Sequence, residues 1–196
     1  MGIQRLLAKT GIHFLATKFG SPKLRSLAFD EKYRQGHWCF NSDGNGELSD
    51  VICKYLGRGD LLLMGCGGAS ILEGLESRGL TRAIGVDISP EAILIASRYA
   101  SDKVEFKLQD MMKFKCLQSY DIILFSESLY YVHKSHQKSF LKSLAIYLKD
   151  EGVFIATFAE AKRFKNMIEG LRKDFKIIED RAFNDSSRHL IVFTSH

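Results

Sequence analysis

At 196 residues, 45% of them apolar and 26% charged, the chain has the size and balance of one soluble globular domain with a substantial core. Four cysteines (Cys39, Cys53, Cys66, Cys116) without CxxC spacing exclude a disulfide frame and a zinc site, and no apolar run approaches the ~18 residues of a membrane span, so a reduced, cytoplasmic setting is expected. The net charge of +5 lies within residues 1–36, where seven basic residues face two acids; this segment suits an anionic substrate, nucleic acid or a membrane surface, or is a plain solvated face.

Taken in order, Gln4 to Lys18 reads as an amphipathic helix interrupted by Gly11. Gly20-Ser21-Pro22 is a break, and Pro22 suits the first turn of a helix running to about Ala28. Phe29 to Phe40 is dense in aromatics and expected to be irregular, and Asn41 to Gly46 is the strongest loop signal in the chain. That loop divides an N-terminal helical and aromatic extension (1–46) from the remaining domain (47–196), which Glu47 to Tyr55 enters as a helix.

From there strand and helix alternate, which argues for a parallel sheet covered on both faces. Strands are expected at 60–65, 82–87, 103–108, 120–126 and 152–158. Helices are expected at 70–78, 90–100, 136–148 and 161–171, with a short turn near 113–117. Ser89-Pro90-Glu91 is a good helix start, with Ser89 as the cap. Lys176 to Phe183 and Arg188 to Ser195 read as a terminal hairpin.

The first strand, Leu61-Leu62-Leu63-Met64, breaks into Gly65-Cys66-Gly67-Gly68-Ala69-Ser70. Small residues there let backbone approach a ligand and leave amides free at the next helix N-terminus. The second strand ends on Asp87, twenty residues beyond Gly67, where a nucleoside-binding α/β fold places the acid that accepts from ribose hydroxyls. Ser70 stands where a dinucleotide fingerprint needs Gly or Ala, so the expected ligand is a nucleoside other than NAD.

Leu61 to Ala69 resembles the first motif of class I S-adenosylmethionine (SAM) dependent methyltransferases, Gly85 to Pro90 their second, and Tyr120 to Leu124 their fourth. The resemblance spans roughly residues 48–196. It implies a Rossmann-like, doubly wound α/β sheet of seven strands, mostly parallel with the C-terminal hairpin antiparallel. It implies SAM as cofactor, bound by Gly65, Cys66, Gly67, Gly68, Asp87, Ile88, Asp110, Met111 and Ser126. Two departures are visible: Leu63 replaces the acid of the first motif, and Ala69 its last glycine.

Ser126-Glu127-Ser128-Leu129-Tyr130-Tyr131 looks like the run that faces the transferring methyl in small-molecule methyltransferases, including amino-sugar N-methyltransferases of nodulation-factor synthesis. It lacks the Asn-Pro-Pro-Tyr of enzymes that methylate base amines in nucleic acid. Glu127 and His133 are the candidate proton acceptors, and Tyr130 a candidate for shaping the pocket. No metal is expected, since Tyr130 stands where metal-using RNA-end methyltransferases have a second glutamate. Tyr-x-x-Gly-x-Trp, ending on Trp38, resembles a segment that closes over cofactor and substrate in several bacterial relatives. The expected acceptor is nitrogen or oxygen of a small metabolite or sugar. RNA or protein as acceptor, and an inactive SAM-binding protein, are the alternatives; the oligomeric state has no sequence signal.

Overall fold

The computed structural model describes residues 15–17, 20–36, 45–184 and 188–195. The Gln4 to Lys18 helix and the Asn41 to Gly46 loop lie mostly outside these residues, and Trp38 lies wholly outside them. The chain runs α1 (Pro22–Arg34), α2 (Asn45–Tyr55), β1 (Asp60–Met64), β2 (Arg82–Asp87), α3 (Pro90–Ala96), β3 (Val104–Leu108), β4 (Tyr120–Ser126), α4 (Lys134–Ala145), β5 (Leu148–Phe158), α5 (Lys165–Asp174), β6 (Lys176–Ala182) and β7 (His189–Thr194).

These strands form one sheet in the order β3-β2-β1-β4-β5-β7-β6, with β7 antiparallel to both its neighbours and all other pairs parallel. The continuous apolar run of β1 follows from burial on both faces. Leu61 and Leu63 join a core with Ile122 and Leu124 on one side, while Leu62 and Met64 join Ile123 and Phe125 on the other. Each such side chain contributes roughly 1.5–3 kcal/mol on full burial.

Five local expectations are corrected. Residues 70–78 form no α-helix but two short 3₁₀ turns, Ser70–Leu72 and Glu76–Arg78, because Glu73 turns extended (ψ 119) and Gly74 takes φ 77 between them. The helix begun at Pro22 continues to Arg34, since Asp30 and Tyr33 are buried where the aromatic segment looked irregular. The turn near 113–117 lies at Met111–Lys113 instead, with Asp110 as its cap. β5 starts at Leu148, so the preceding helix ends at Ala145; a register shift opposite Tyr120 and Ile122 admits Lys149, whose ammonium reaches Asp60 (2.5 Å) and Asp121 (2.8 Å). The helix expected at 161–171 is displaced to Lys165–Asp174.

Candidate active site

The strand order reverses between β1 and β4, and the crevice at such a switch point is where open α/β sheets bind ligands. A cavity of about 260 Å³ opens there, walled by the loops after β1, β2, β3, β4 and β5 and covered by α1. Gly65, Cys66, Gly67, Gly68, Asp87, Ile88, Asp110, Met111, Ser126, Glu127 and Tyr130 all line it.

The turn after β1 is tight enough to require its glycines. Gly65 has φ 69 and a Cβ on it would lie 2.7 Å from Ser128 Cβ; Gly67 has φ 54 and its Cβ would lie 2.7 Å from the Tyr33 hydroxyl. Ala69, at the position of the departed glycine, sits at φ 54 all the same, a backbone cost of about 1–2 kcal/mol for a residue with a Cβ. The expected free amides are mostly engaged: Gly65 and Cys66 donate to the Val86 carbonyl, Ala69 to that of Cys66, and Gly67 to Asp87.

Asp87 is only 8% exposed. Its Oδ2 accepts from the Gly67 amide and its Oδ1 from the Ser89 amide, both at 2.9 Å. Burial raises its carboxyl above the usual range, and the two amides pull against that. Ser89 caps α3 through Oγ, which accepts from the Ala92 amide (3.1 Å) and donates to Asp30 of α1 (2.5 Å).

Three side chains of α1 line the cavity, Arg25, Phe29 and Tyr33. Arg25 Nη2 donates to Asp110 Oδ2 at 2.5 Å, while Asp110 Oδ1 accepts from the Met112 amide at 3.1 Å. Phe29 meets Tyr131 edge-on with ring centroids 4.9 Å apart. Arg34 bonds Glu91 at 2.8 Å, so α1 is tied at both ends.

At the end of β4, Glu127 occupies left-handed backbone (φ 54). Its amide donates to Thr157 Oγ1 (3.1 Å) and its Oε2 accepts from the Ala159 amide (2.5 Å). Its Oε1 is buried with no hydrogen-bond partner among the described residues. Burial raises this carboxyl, opposed first by the Thr157 side chain and then by the Ala159 amide, the positive charge of Arg188 and the Tyr130 side chain. Tyr130 stacks on Phe164 (4.3 Å) and tilts against Tyr131 (4.8 Å). Burial drives the Tyr130 phenol far above its usual range and pushes Tyr131 up to about 12, so both remain neutral hydrogen-bonding groups.

His133 lies apart from this cavity. It caps α4, its Nδ1 accepting from the Ser135 amide (3.4 Å), and it lines an adjoining surface groove with His136, Lys113 and Arg25. Among the described residues no three His, Cys, Asp or Glu side chains are grouped to hold a metal ion.

Residues 61–152 match the family model described as a methyltransferase domain. Residues 61–152 thus carry a methyltransferase domain. The same fold is seen in the N-methyltransferase NodS from Bradyrhizobium japonicum WM9 in complex with S-adenosylhomocysteine (SAH), 18% identical over 80% of this chain and 90% of that one, TM-score 0.62. The 1,6-didemethyltoxoflavin-N1-methyltransferase of Burkholderia thailandensis is 18% identical over 84% and 83% of the two chains, TM-score 0.67. A putative methyltransferase complexed with the Trm112 activator of Haloferax volcanii is 17% identical over 86% and 93%, TM-score 0.64. No curated protein matches the sequence.

The cavity fits the SAM that the motifs lead one to expect. Gly65, Gly67 and Gly68 form one wall, Asp87 uses two of its roughly four lone-pair sites, and the apolar side chains of Ile88 and Met111 line the cavity with it. Leu63, in place of the usual acid, is 2% exposed within the sheet core. Sequence reasoning missed Arg25, Phe29, Thr157, Phe183 and Arg188, which also line the cavity. Ser21-Pro22 flagged the start of α1, but nothing in the sequence carried Phe183 and Arg188 to this end of the sheet; the antiparallel return of β7 does so.

Proposed function

We propose that this enzyme methylates an amine nitrogen of a small molecule, with Glu127 holding the amine. The observation that carries the reading is the buried carboxylate of Glu127, one oxygen anchored on Ala159 and the other without a partner, beside the rings of Tyr130, Tyr131 and Phe29. A carboxylate in a cavity also lined by aromatic rings suits an ammonium, which can gain charge pairing and cation–π attraction. The N-methyltransferase names of two fold neighbours agree with this.

SAM supplies a methyl group on a sulfonium, already activated for in-line displacement. The Gly65–Gly68 turn would cradle its methionine end, Asp87 would accept from the ribose hydroxyls, and Asp110 with Met111 and Ile88 would bracket the base. Glu127 draws in the amine and receives the proton that nitrogen loses. The Tyr130 and Tyr131 hydroxyls orient the acceptor. Orientation of this kind is where most of the rate is expected to arise, since effective molarities of aligned groups reach ~10⁵ M or more. We read residues 1–46 as a cover for the catalytic domain 47–196, with α1 excluding water. His133, spent on a helix cap, takes no part.

The test is a panel of small primary amines, alcohols and phenols incubated with enzyme and SAM, followed by mass spectrometry. N-methylated products that disappear in Glu127→Gln support the reading. Methylation confined to hydroxyls, or to RNA or protein, overturns it.

A further inference from the structure

We infer that Asp30 of α1 is a positioning residue for the cofactor's ribose: through Ser89 it fixes the carboxylate of Asp87, so that docking of α1 and binding of the ribose strengthen each other. This rests on the reading of Asp87 as acceptor of the ribose hydroxyls, and adds to it a residue outside the matched domain of 61–152. Asp30, Ser89 and Asp87 are all buried. The hydroxyl of Ser89 donates to Asp30 Oδ1 at 2.5 Å, and its amide donates to Asp87 Oδ1 at 2.9 Å. One serine therefore stands between two carboxylates, its side chain held by one and its backbone holding the other. Asp30 Oδ1 also accepts from the Glu91 amide at 3.4 Å, so it engages the first turn of α3 as well as the cap of that helix.

A carboxylate turns easily about its last torsion, whose wells are broad. Asp87 is kept from turning by two amides, that of Gly67 on Oδ2 and that of Ser89 on Oδ1. The Ser89 amide belongs to the short link between β2 and α3, and Asp30 pins that link from the side of α1. Lifting α1 takes the acceptor away from the Ser89 hydroxyl and loosens the residue whose amide holds Asp87. The lone pairs of Asp87 left over for a ribose then lose their fixed direction. By linkage, a ribose that needs those lone pairs in place favours the docked helix to the same degree. Burial raises the Asp87 carboxyl, and the charge of Asp30 adds to that rise. What the Asp30 charge supplies in return is a bond to the serine hydroxyl about twice as strong as a neutral one.

The assay titrates the full chain by calorimetry with SAH and with its 2′,3′-dideoxy analogue, and reads the ratio of the two affinities. That ratio isolates the hydroxyls, because a general loss of cover or of fold lowers both affinities alike. Asp87→Asn is expected to lower the ratio most. Asp30→Ala should lower it by about 5–10-fold, the lower end of coupling between two sites. Asp30→Asn, which keeps an oxygen for Ser89, should recover part of that loss. In a Ser89→Ala background, Asp30→Ala should lower the ratio no further. In hydrogen exchange, SAH should slow the amides of residues 22–34 more than the dideoxy analogue does, and this difference should vanish in Asp30→Ala. A ratio unchanged in Asp30→Ala but lowered in Asp87→Asn makes α1 a cover only, and overturns the proposal while leaving the ribose reading intact. An undiminished effect of Asp30→Ala without the Ser89 hydroxyl overturns it too. If SAH does not bind the wild type, or Asp87→Asn leaves the ratio unchanged, the ribose reading fails and the proposal falls with it.

Discussion

Replacing Arg25 by Met tests whether α1 is held over the cavity by one ion pair. Arg25 and Asp110 side chains are 19% and 9% exposed, with Nη2 and Oδ2 2.5 Å apart. An exposed pair would be worth about 0–1 kcal/mol, and breaking a fully buried one costs about 3–5. This pair lies between, and the Met112 amide still serves Asp110 after the change. Arg25 Nε is already buried without a partner among the described residues, a cost that Met removes. The lower part of the range for a hydrogen bond to a charged group, about 1.5–2 kcal/mol, is therefore expected. For a chain of 196 residues that is a drop in Tm of about 3–8 °C. The drop should change little with added salt, because neither partner is well exposed. Native-state hydrogen exchange should show faster opening of residues 22–34. In a cycle with Asp110→Asn, the double variant should cost less than the sum of the singles by about 1 kcal/mol. Additive effects and unchanged protection of α1 would refute the reasoning.

Glu127→Gln should lower kcat by roughly 10²–10⁴-fold if the carboxylate takes the proton, yet raise stability at neutral pH. Burial lifts the carboxyl of Glu127 in the folded state, so the folded protein binds more protons than the unfolded chain between the ordinary and the raised value. Ionisation there works against folding as pH rises through that window, and the stability gap to the variant should narrow on acidification; Tm against pH for both proteins checks the sign. Asp87→Asn should weaken SAM and SAH binding by about 1.5–3 kcal/mol, the value of a hydrogen bond to a charged group, read by calorimetry. NADH should bind neither protein.

How legible the fold was depends on where the information sat. The β1 run and its neighbour Ala83-Ile84-Gly85-Val86 are local, since any strand buried on both faces must be apolar throughout. The Ser89-Pro90 cap was equally local, and Ser89 Oγ does accept from the Ala92 amide. The segment after the glycine turn misled because its apolar spacing fits a helix; Ile71, Leu72 and Leu75 are buried as that spacing implies, but Gly74 at φ 77 breaks the chain between them. Phe29 to Arg34 misled in the opposite way. Its apolar and charged residues face no common core, because the helix lies against a cavity and several charges at once, and an amphipathic template finds no stripe in it.

In the proposed reaction Glu127 stands at the acceptor end, and its position there is fixed by its neighbours. A left-handed backbone and a buried carboxylate each cost free energy, and both fall on one residue. Such a combination persists only where the surroundings over-determine it. Here they do: β4 and β5 pair through Ser126 and Thr157, Thr157 holds the Glu127 amide, and the Ala159 amide holds one carboxylate oxygen. The strained residue is thus clamped to the next strand rather than to a loop of its own. Thr157 is 3% exposed and cannot move without moving the sheet. The free oxygen of Glu127 therefore has a fixed direction before any acceptor arrives, and fixed direction is what alignment of a nucleophile with a methyl group requires.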